Sequence, residues 1–422
     1  MGIAHTGARL AYWSNMALFS YSGDKAEMAF LPSFEFDDKI LAQGAEISRK
    51  LDQLRVEKFP TEGQKTLRRF SMAEVAHYLG ISPNNLKRLH LEKKGPEPFV
   101  VAGGRRFYSA EQMTELRDYL DKHGRSDSKK YVPYRKPGEK LQVIAVVNFK
   151  GGSGKTTTTA HLAQHLALTG HRVLTVDLDP QASLSALHGF QPELDKNPSL
   201  YNSIRYEDAA PVEDVIRKTN FPLLDIIPAN LELQEYEYET PLAMQSPSQE
   251  GKRFFTRIAK ALDSVSDRYD VVVIDCPPQL GYLTLSALSA STSVLITVHP
   301  QMLDLMSMSQ FLLMLGNIMQ SIKKAGAQVQ LDWLRYLITR YEPTDIPQAQ
   351  MVGFMQSMLA EEILKNPMLK STAISDAGLT KQTLYEVERS NFNRDTYDRA
   401  IDSMDAVNFE IQGLIHQAWG RL

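Results

Sequence analysis

Cysteine is almost missing from this chain: Cys276 is the only one in 422 residues. A disulfide framework is therefore excluded, as is a cysteine-rich metal site supplied by one chain, and a reducing compartment fits. Long hydrophobic runs are missing too. No stretch reaches the roughly 18 unbroken apolar residues of a membrane span. The methionine-rich run from Met302 to Met319 comes nearest, but Asp304, Gln310 and Asn317 interrupt it, and it reads as a buried helix. The N-terminus lacks the continuous apolar stretch of a signal peptide, so a cytoplasmic location is expected.

Net charge is small, −3 at pH 7, but it is unevenly spread. Residues 64–140 carry 17 Lys/Arg against 9 Asp/Glu, which leaves the remainder strongly acidic. A basic segment in an acidic chain suggests a nucleic-acid-binding module joined to something else. At 43% hydrophobic and 23% charged, the chain has room for two or three domains and at least one large core.

Five parts are expected along the chain. Residues 1–35 show no period and read as an arm. Residues 36–58 read as a charged helix with a narrow apolar stripe of Ile40, Ile47, Leu51 and Leu54, suited to pairing with a second chain or to packing on its own domain. Residues 59–125 have helix-turn-helix spacing. Ser71 and Glu74 form a capping box, Gly80 makes the turn, and Ser82 with Pro83 starts the second helix. That helix carries Asn84, Asn85, Lys87 and Arg88, which suit base edges and phosphates. "FVVAGGRRFYS" follows as two strands around Gly103-Gly104, a basic wing with Arg105 and Arg106 at its tip. Sequence-specific DNA binding is the favoured reading and a protein-binding winged module the other. Residues 126–140 are a polar linker whose Lys129, Lys130, Arg135 and Lys136 either touch phosphates or are solvated.

From residue 141 to 422 the pattern is α/β. "QVIAVVN", "RVLTVDL", "LLDIIPA", "DVVVIDC", "SVLITVH" and "LRYLITR" are apolar, β-branched runs without polar alternation, as in buried parallel strands. Helix-like segments separate most of them, so a doubly wound parallel sheet is expected. "KGGSGKTT" follows the first run and opens a helix, which is the context of a phosphate loop. Gly151, Gly152, Ser153 and Gly154 form the loop, and its amides can face phosphate oxygens at a helix N-terminus. Lys155 brings a charge to the β- and γ-phosphates, the Thr156 hydroxyl suits Mg²⁺, and Thr157 can bond the α-phosphate. A second lysine, Lys150, stands at the start of the loop, where most such loops have none. Asp275 ends a buried strand and suits water-mediated Mg²⁺ binding. In "VLTVDLDPQAS", Asp177 is assigned to the metal shell and Asp179 to the attacking water, with capping or metal contact as the other reading of Asp179.

"KGGSGKTT", "VDLDPQAS" and "VVVIDCPP", in this order and spacing, resemble the deviant Walker motifs of ParA-type ATPases. "LDWLRYLITRYEPTD" and "STAISDAGLTKQTLYEVERS" are similar to the RepA partition proteins of repABC replicons, so the resemblance covers about residues 36–422. It implies an ATPase that binds ATP and Mg²⁺ and forms a homodimer, with higher assemblies on DNA left open. It implies that Lys150 is the signature lysine, reaching phosphates held by the other subunit, where a cation stabilises charge that grows in the transition state. It places the base beside Arg340 and Pro343. It suggests non-specific DNA contacts by basic residues such as Arg389 and Arg394, unless acids such as Glu386 and Glu388 pair with them. The implied partners are operator DNA, non-specific DNA of the nucleoid, and a ParB-type centromere-binding protein (RepB). An ATP-sensing repressor shares every motif. A MinD-like membrane-cycling ATPase shares the signature lysine, but "FEIQGLIHQAWGRL" has a single arginine and makes a poor membrane helix. A nitrogenase-type iron protein needs more cysteines than this chain has.

Overall fold

The computed structural model describes residues 36–58, 65–123, 131–190, 198–246, 249–327 and 329–421. The chain forms two compact units, residues 1–63 and 64–422. In the first, the described element is helix α1 (Phe36–Lys58), with Asp37 and Asp38 in its first turn, where acids suit the helix dipole. Ile40 and Ile47 of the expected stripe are 50% and 58% exposed within the chain. The side chains of Leu51 and Leu54, and the arm 1–35, lie outside the described residues.

The second unit begins with strand β1 (Phe70–Ser71), helix α2 (Met72–Leu79), helix α3 (Pro83–Leu91), strands β2 (Phe99–Val101) and β3 (Arg105–Tyr108), and helix α4 (Ala110–His123). Local sequence accounts for these boundaries. Ser71 and Glu74 form the capping box on α2, and Gly80 ends that helix in the left-handed region. Ser82 caps α3 with Pro83 in its first turn. Gly103 and Gly104, both at positive φ, turn β2 back onto β3.

The rest of the unit is a seven-stranded sheet. Strands β4 (Gln142–Val147), β5 (Val173–Asp177), β6 (Arg217–Lys218), β7 (Leu224–Ile227), β8 (Val271–Asp275), β9 (Ser293–Val298) and β10 (Trp333–Ile338) lie in the order β10-β9-β4-β8-β5-β7-β6. All six apolar runs are strands, and they pair in parallel. The sheet is nevertheless mixed, because the two-residue β6 pairs antiparallel to β7. Its Arg217 and Lys218 carry no apolar signal. The principal helices are α5 (Lys155–Leu168), α6 (Ser183–Leu187), α7 (Leu233–Gln245), α8 (Tyr282–Ala290), α9 (Met302–Lys324), α10 (Ile346–Leu359), α11 (Thr372–Leu379) and α12 (Arg394–Ala418).

Helix α9 corrects the expectation of a buried helix. Leu305, Met308, Phe311 and Ile322 are buried, but Met302, Leu303, Met306, Leu313 and Met314 are exposed. By length and composition α9 could cross a membrane. Leu305 and Met308 of its buried stripe pack with Val298 and Tyr336 in the core, and Ile322 packs with Phe254, Phe255 and Leu285.

The N-terminal module is not held at arm's length from the sheet. Phe70, Val75, Leu86 and Leu116 run into one buried cluster with Leu162 and Leu166 of α5 and with Met404, Val407 and Ile411 of α12. Polar contacts fix the orientation. The buried Arg117 donates to Tyr78 O at 2.6 Å, Leu168 O at 2.7 Å and Tyr131 O at 3.2 Å. It thus binds the last turns of α2 and α5, where carbonyls lack intrahelical partners and the dipole favours a cation. Burial without an acid partner lowers its pKa to about 10. Gly170 (φ +100) leaves the room, since a Cβ there would lie 2.9 Å from the Arg117 side chain. His77 of α2 and His165 of α5 both lie on Asp405 of α12, at 3.6 and 3.4 Å.

The linker is docked as well, which corrects the reading of Arg135 as solvated or phosphate-bound. Its backbone N–H donates to Asp270 at 2.9 Å, and its guanidinium donates to the Tyr269, Ser266 and Glu139 carbonyls. Lys129 and Lys130 lie outside the described residues. The C-terminal end clasps the same segment: Trp419 Nε1 donates to Lys140 O, and Arg421 to Pro133 O, Tyr134 O and Glu139. Ile411, Ile415 and Trp419 are buried in the core cluster, with Leu414 packed against it.

Arg117→Met would leave three carbonyls without their donor, two of them bonded through a buried Nη2. An unsatisfied buried acceptor costs about 1–3 kcal/mol, so this variant should unfold at clearly lower urea. An unchanged midpoint would mean that the arginine does not hold the module.

Candidate nucleotide site and nucleic-acid interface

The phosphate loop leaves β4 at Asn148 and enters α5 at Lys155. Gly152 and Gly154 have φ of +74° and +87°, a region that glycine occupies without cost. The loop is gripped from outside by the ends of neighbouring strands. Asn148 Oδ1 accepts from Lys150 N at 2.9 Å, and its amide donates to Thr297 O. Thr297 Oγ1 donates to Ser153 Oγ at 3.1 Å. Thr339 Oγ1 donates to Ser153 O at 2.7 Å, and Arg340 Nη1 to Gly152 O at 3.1 Å.

The two lysines have different surroundings. Lys155 is buried and donates to Lys150 O at 3.1 Å. Burial lowers its pKa, with Asp275 opposing. Lys150 is exposed at the rim, and its ammonium pairs with Asp304 in the first turn of α9. His299 lies 3.5 Å from the other oxygen of Asp304. Arg340, assigned to the base, has its guanidinium on the loop and a left-handed backbone (φ +53). Pro343 is exposed.

The carboxylates sort by what holds them. Asp177 and Asp275 are neighbours across β5 and β8. Asp177 Oδ2 accepts Ser185 N at 2.8 Å and Ser185 Oγ at 2.7 Å, while Oδ1 accepts Asp179 N at 3.2 Å. Burial pushes its pKa up to about 7. Asp177 thus anchors α6 through Ser185, while Oδ1 accepts only from the Asp179 amide. Asp275 is buried, with the Thr156 hydroxyl as its close polar neighbour and no other hydrogen-bond partner among the described residues. Burial and the adjacent Asp177 push its pKa well up. A buried carboxylate with so few partners is costly unless something polar completes it. Asp275 thus fits a hydrated Mg²⁺, with the Thr156 hydroxyl as the loop's own oxygen ligand. Among the described residues no cluster of three or more His, Cys, Asp or Glu could hold a metal. Asp179 is half-exposed, and its Oδ1 accepts Gln181 N at 3.0 Å in the turn before α6.

On the N-terminal module, α3 buries Leu86 and Leu89 and turns Asn84, Lys87 and Arg88 to solvent, with Asn85 half-buried. Arg88 Nη2 donates to Asn85 Oδ1 at 3.1 Å. Arg105 is exposed at the hairpin tip and Arg106 half-buried. At the C-terminal end Arg389 is paired with both oxygens of Asp398, so the acid that engages it is neither Glu386 nor Glu388. Arg394 is exposed. Asn148, Ser185, Thr297, Thr339 and Asp304 escaped sequence reasoning: Thr297, Thr339 and Asp304 reach the loop only from distant segments, while Asn148 and Ser185 lie close in sequence but belong to no motif.

Residues 141–327 match an AAA domain family. A protein provisionally named replication protein A, from Sinorhizobium fredii, is 68% identical over 92% of this chain and 95% of its own length. The sporulation initiation inhibitor protein Soj of Bacillus subtilis is 40% identical over 56% of this chain and 87% of its own. A solved structure of a partition protein shares the fold at TM-score 0.56, with 17% identity, over 90% of this chain and 99% of that one.

Thr339→Val keeps the shape and removes the donor on Ser153 O. An unmet acceptor of about 1–2 kcal/mol corresponds to ATP binding roughly tenfold weaker, read by nucleotide titration. Wild-type affinity would mean that the threonine is dispensable to the loop.

Proposed function

The chain belongs to the ParA-type partition ATPases, and from that premise we propose that it is a plasmid or secondary-chromosome segregation ATPase. It binds ATP·Mg²⁺, dimerises and coats non-specific DNA. A ParB-type centromere-binding partner (RepB) stimulates hydrolysis and release, and the helix-turn-helix and its basic wing repress its own operon. The observation that carries this reading is one loop with two lysines in opposite settings. Lys155 is buried and serves phosphates bound to its own chain. Lys150 stands at the rim, beside a helix whose exposed face of Met302, Leu303 and Met306 suits a second subunit.

In this reading Gly151 to Gly154 and the α5 N-terminus cradle the phosphates, while Thr157 bonds the α-phosphate. Thr156 and Asp275 hold Mg²⁺, which shields phosphate charge when bound. Asp179 orients the attacking water. Lys150 leaves Asp304 and stabilises charge on the partner subunit's nucleotide. On α3, Asn84, Asn85, Lys87 and Arg88 read operator DNA, with Arg105 and Arg106 on its backbone. Arg394 serves non-specific DNA, and Arg389 does so once it leaves Asp398.

Asp179→Ala should keep ATP binding and dimerisation, lose hydrolysis by orders of magnitude, and stay on DNA. Lys150→Ala should bind ATP but fail to dimerise, and so fail at hydrolysis and non-specific DNA binding. Sedimentation with ATP decides: a Lys150→Ala dimer like wild type's would end the cross-subunit assignment.

Lys87→Ala with Arg88→Ala should abolish operator binding in a mobility-shift titration while ATP-dependent binding to random DNA survives. Joint loss would mean that the two DNA surfaces are one.

A further inference from the structure

The turn that carries Asp179 is followed at once by α6, a helix of five residues (Ser183–Leu187). A helix this short does not hold itself, so its position depends on what grips its ends. At the Asp177 side the grip is Ser185, whose N–H and hydroxyl both donate to the Asp177 carboxylate. At the C-terminal end, the Leu187 carbonyl accepts from the ammonium of Lys65. Terminal carbonyls of a helix lack intrahelical donors, and a cation there also meets the favourable end of the dipole.

Lys65 cannot drift. Its ammonium also pairs at 2.6 Å with Glu386, which is 3% exposed. Glu386 is itself held by Asn220 Nδ2 at 2.8 Å and by Thr383 N at 2.9 Å. The same lysine lies five residues before β1. Between them Arg68 donates to Tyr385 O at 3.0 Å and pairs with Glu74 of the α2 capping box at 2.7 Å. One side chain therefore joins the segment leading into the helix-turn-helix to the helix that follows the catalytic turn.

We propose that Lys65, outside the segment matching the AAA domain family, is a positioning residue for ATP hydrolysis. By fixing the Leu187 end of α6 it sets where Ser185 holds Asp177, and hence where the turn presents Asp179. The segment leading into the DNA-reading module is then part of the hydrolytic machinery. This rests on the proposed role of Asp179 and adds a residue that touches neither nucleotide nor water. Misplacement of reacting groups by about 1 Å costs up to ~100-fold in rate, whereas phosphate binding by the loop does not pass through α6.

The test uses the full-length protein with ATP and DNA. Lys65→Met alone strands a buried Glu386, so the main variant is Lys65→Met with Glu386→Gln, which removes both charges. Lys65→Arg keeps the ion pair, and with it the fold, but moves the donor off Leu187 O. In both variants kcat should fall about 10- to 100-fold while the ATP Kd stays within about twofold of wild type, a split that general destabilisation would not produce. Wild-type kcat in the folded variants, or an equal loss of affinity and kcat, overturns the proposal. If the double variant does not fold, Lys65→Arg decides by the same criterion. Asp179→Ala is run alongside. If it hydrolyses ATP normally, the reading of the catalytic turn fails. If it is inactive while the Lys65 variants match wild type, only the role of Lys65 fails.

Discussion

A loop that binds phosphate through backbone amides works only if its carbonyls are held away from the anion. Each peptide unit carries both groups on opposite sides, so fixing the carbonyls outward is what aims the amides inward. Here Ser153 O is taken by Thr339, Gly152 O by Arg340 and Lys150 O by Lys155. Two of these groups, Thr339 and Arg340, come from the segment just after β10, at the edge of the sheet. The parallel order β10-β9-β4 brings Thr339 and Thr297 up to the loop, so the sheet topology is a condition of the site.

Around that loop, charges are placed by burial and by helix ends. Asp177 and Asp275 lie side by side at the tips of β5 and β8, where burial makes two bare carboxylates costly. The chain partners Asp177 with Ser185 and leaves Asp275 beside the Thr156 hydroxyl alone. Neighbouring acids of the same type thus take separate duties, one in architecture and one suited to a hydrated cation.

The N-terminal module depends on the same logic. Arg117 satisfies the ends of α2 and α5 at once, and Asp405 draws His77 and His165 together from those two helices. The helix that begins at the phosphate loop therefore ends against α2 of the N-terminal module. A module joined only by a polar linker could reorient freely, but this one shares a core with α5 and α12.

Much of this was legible in the sequence. The capping box of Ser71 and Glu74, the turn at Gly80, the hairpin at Gly103-Gly104 and the six buried strands all follow from local chemistry and short periodicity. So does the phosphate loop, since its glycines, lysine and threonines are contiguous. Alternating burial hid the open face of α9, because an apolar stripe and an apolar surface look alike without neighbours. The two-residue β6 was hidden because its pairing owes nothing to its side chains. The linker read as solvated, since nothing local marks Arg135 as the partner of Asp270. Only the tertiary structure decided that Asp177 serves α6, that Lys150 rests on Asp304, that Thr339 holds Ser153, and that Lys65 reaches Leu187. Each of these joins residues more than five positions apart, most of them by over a hundred, and chain spacing carries no record of which strands lie side by side.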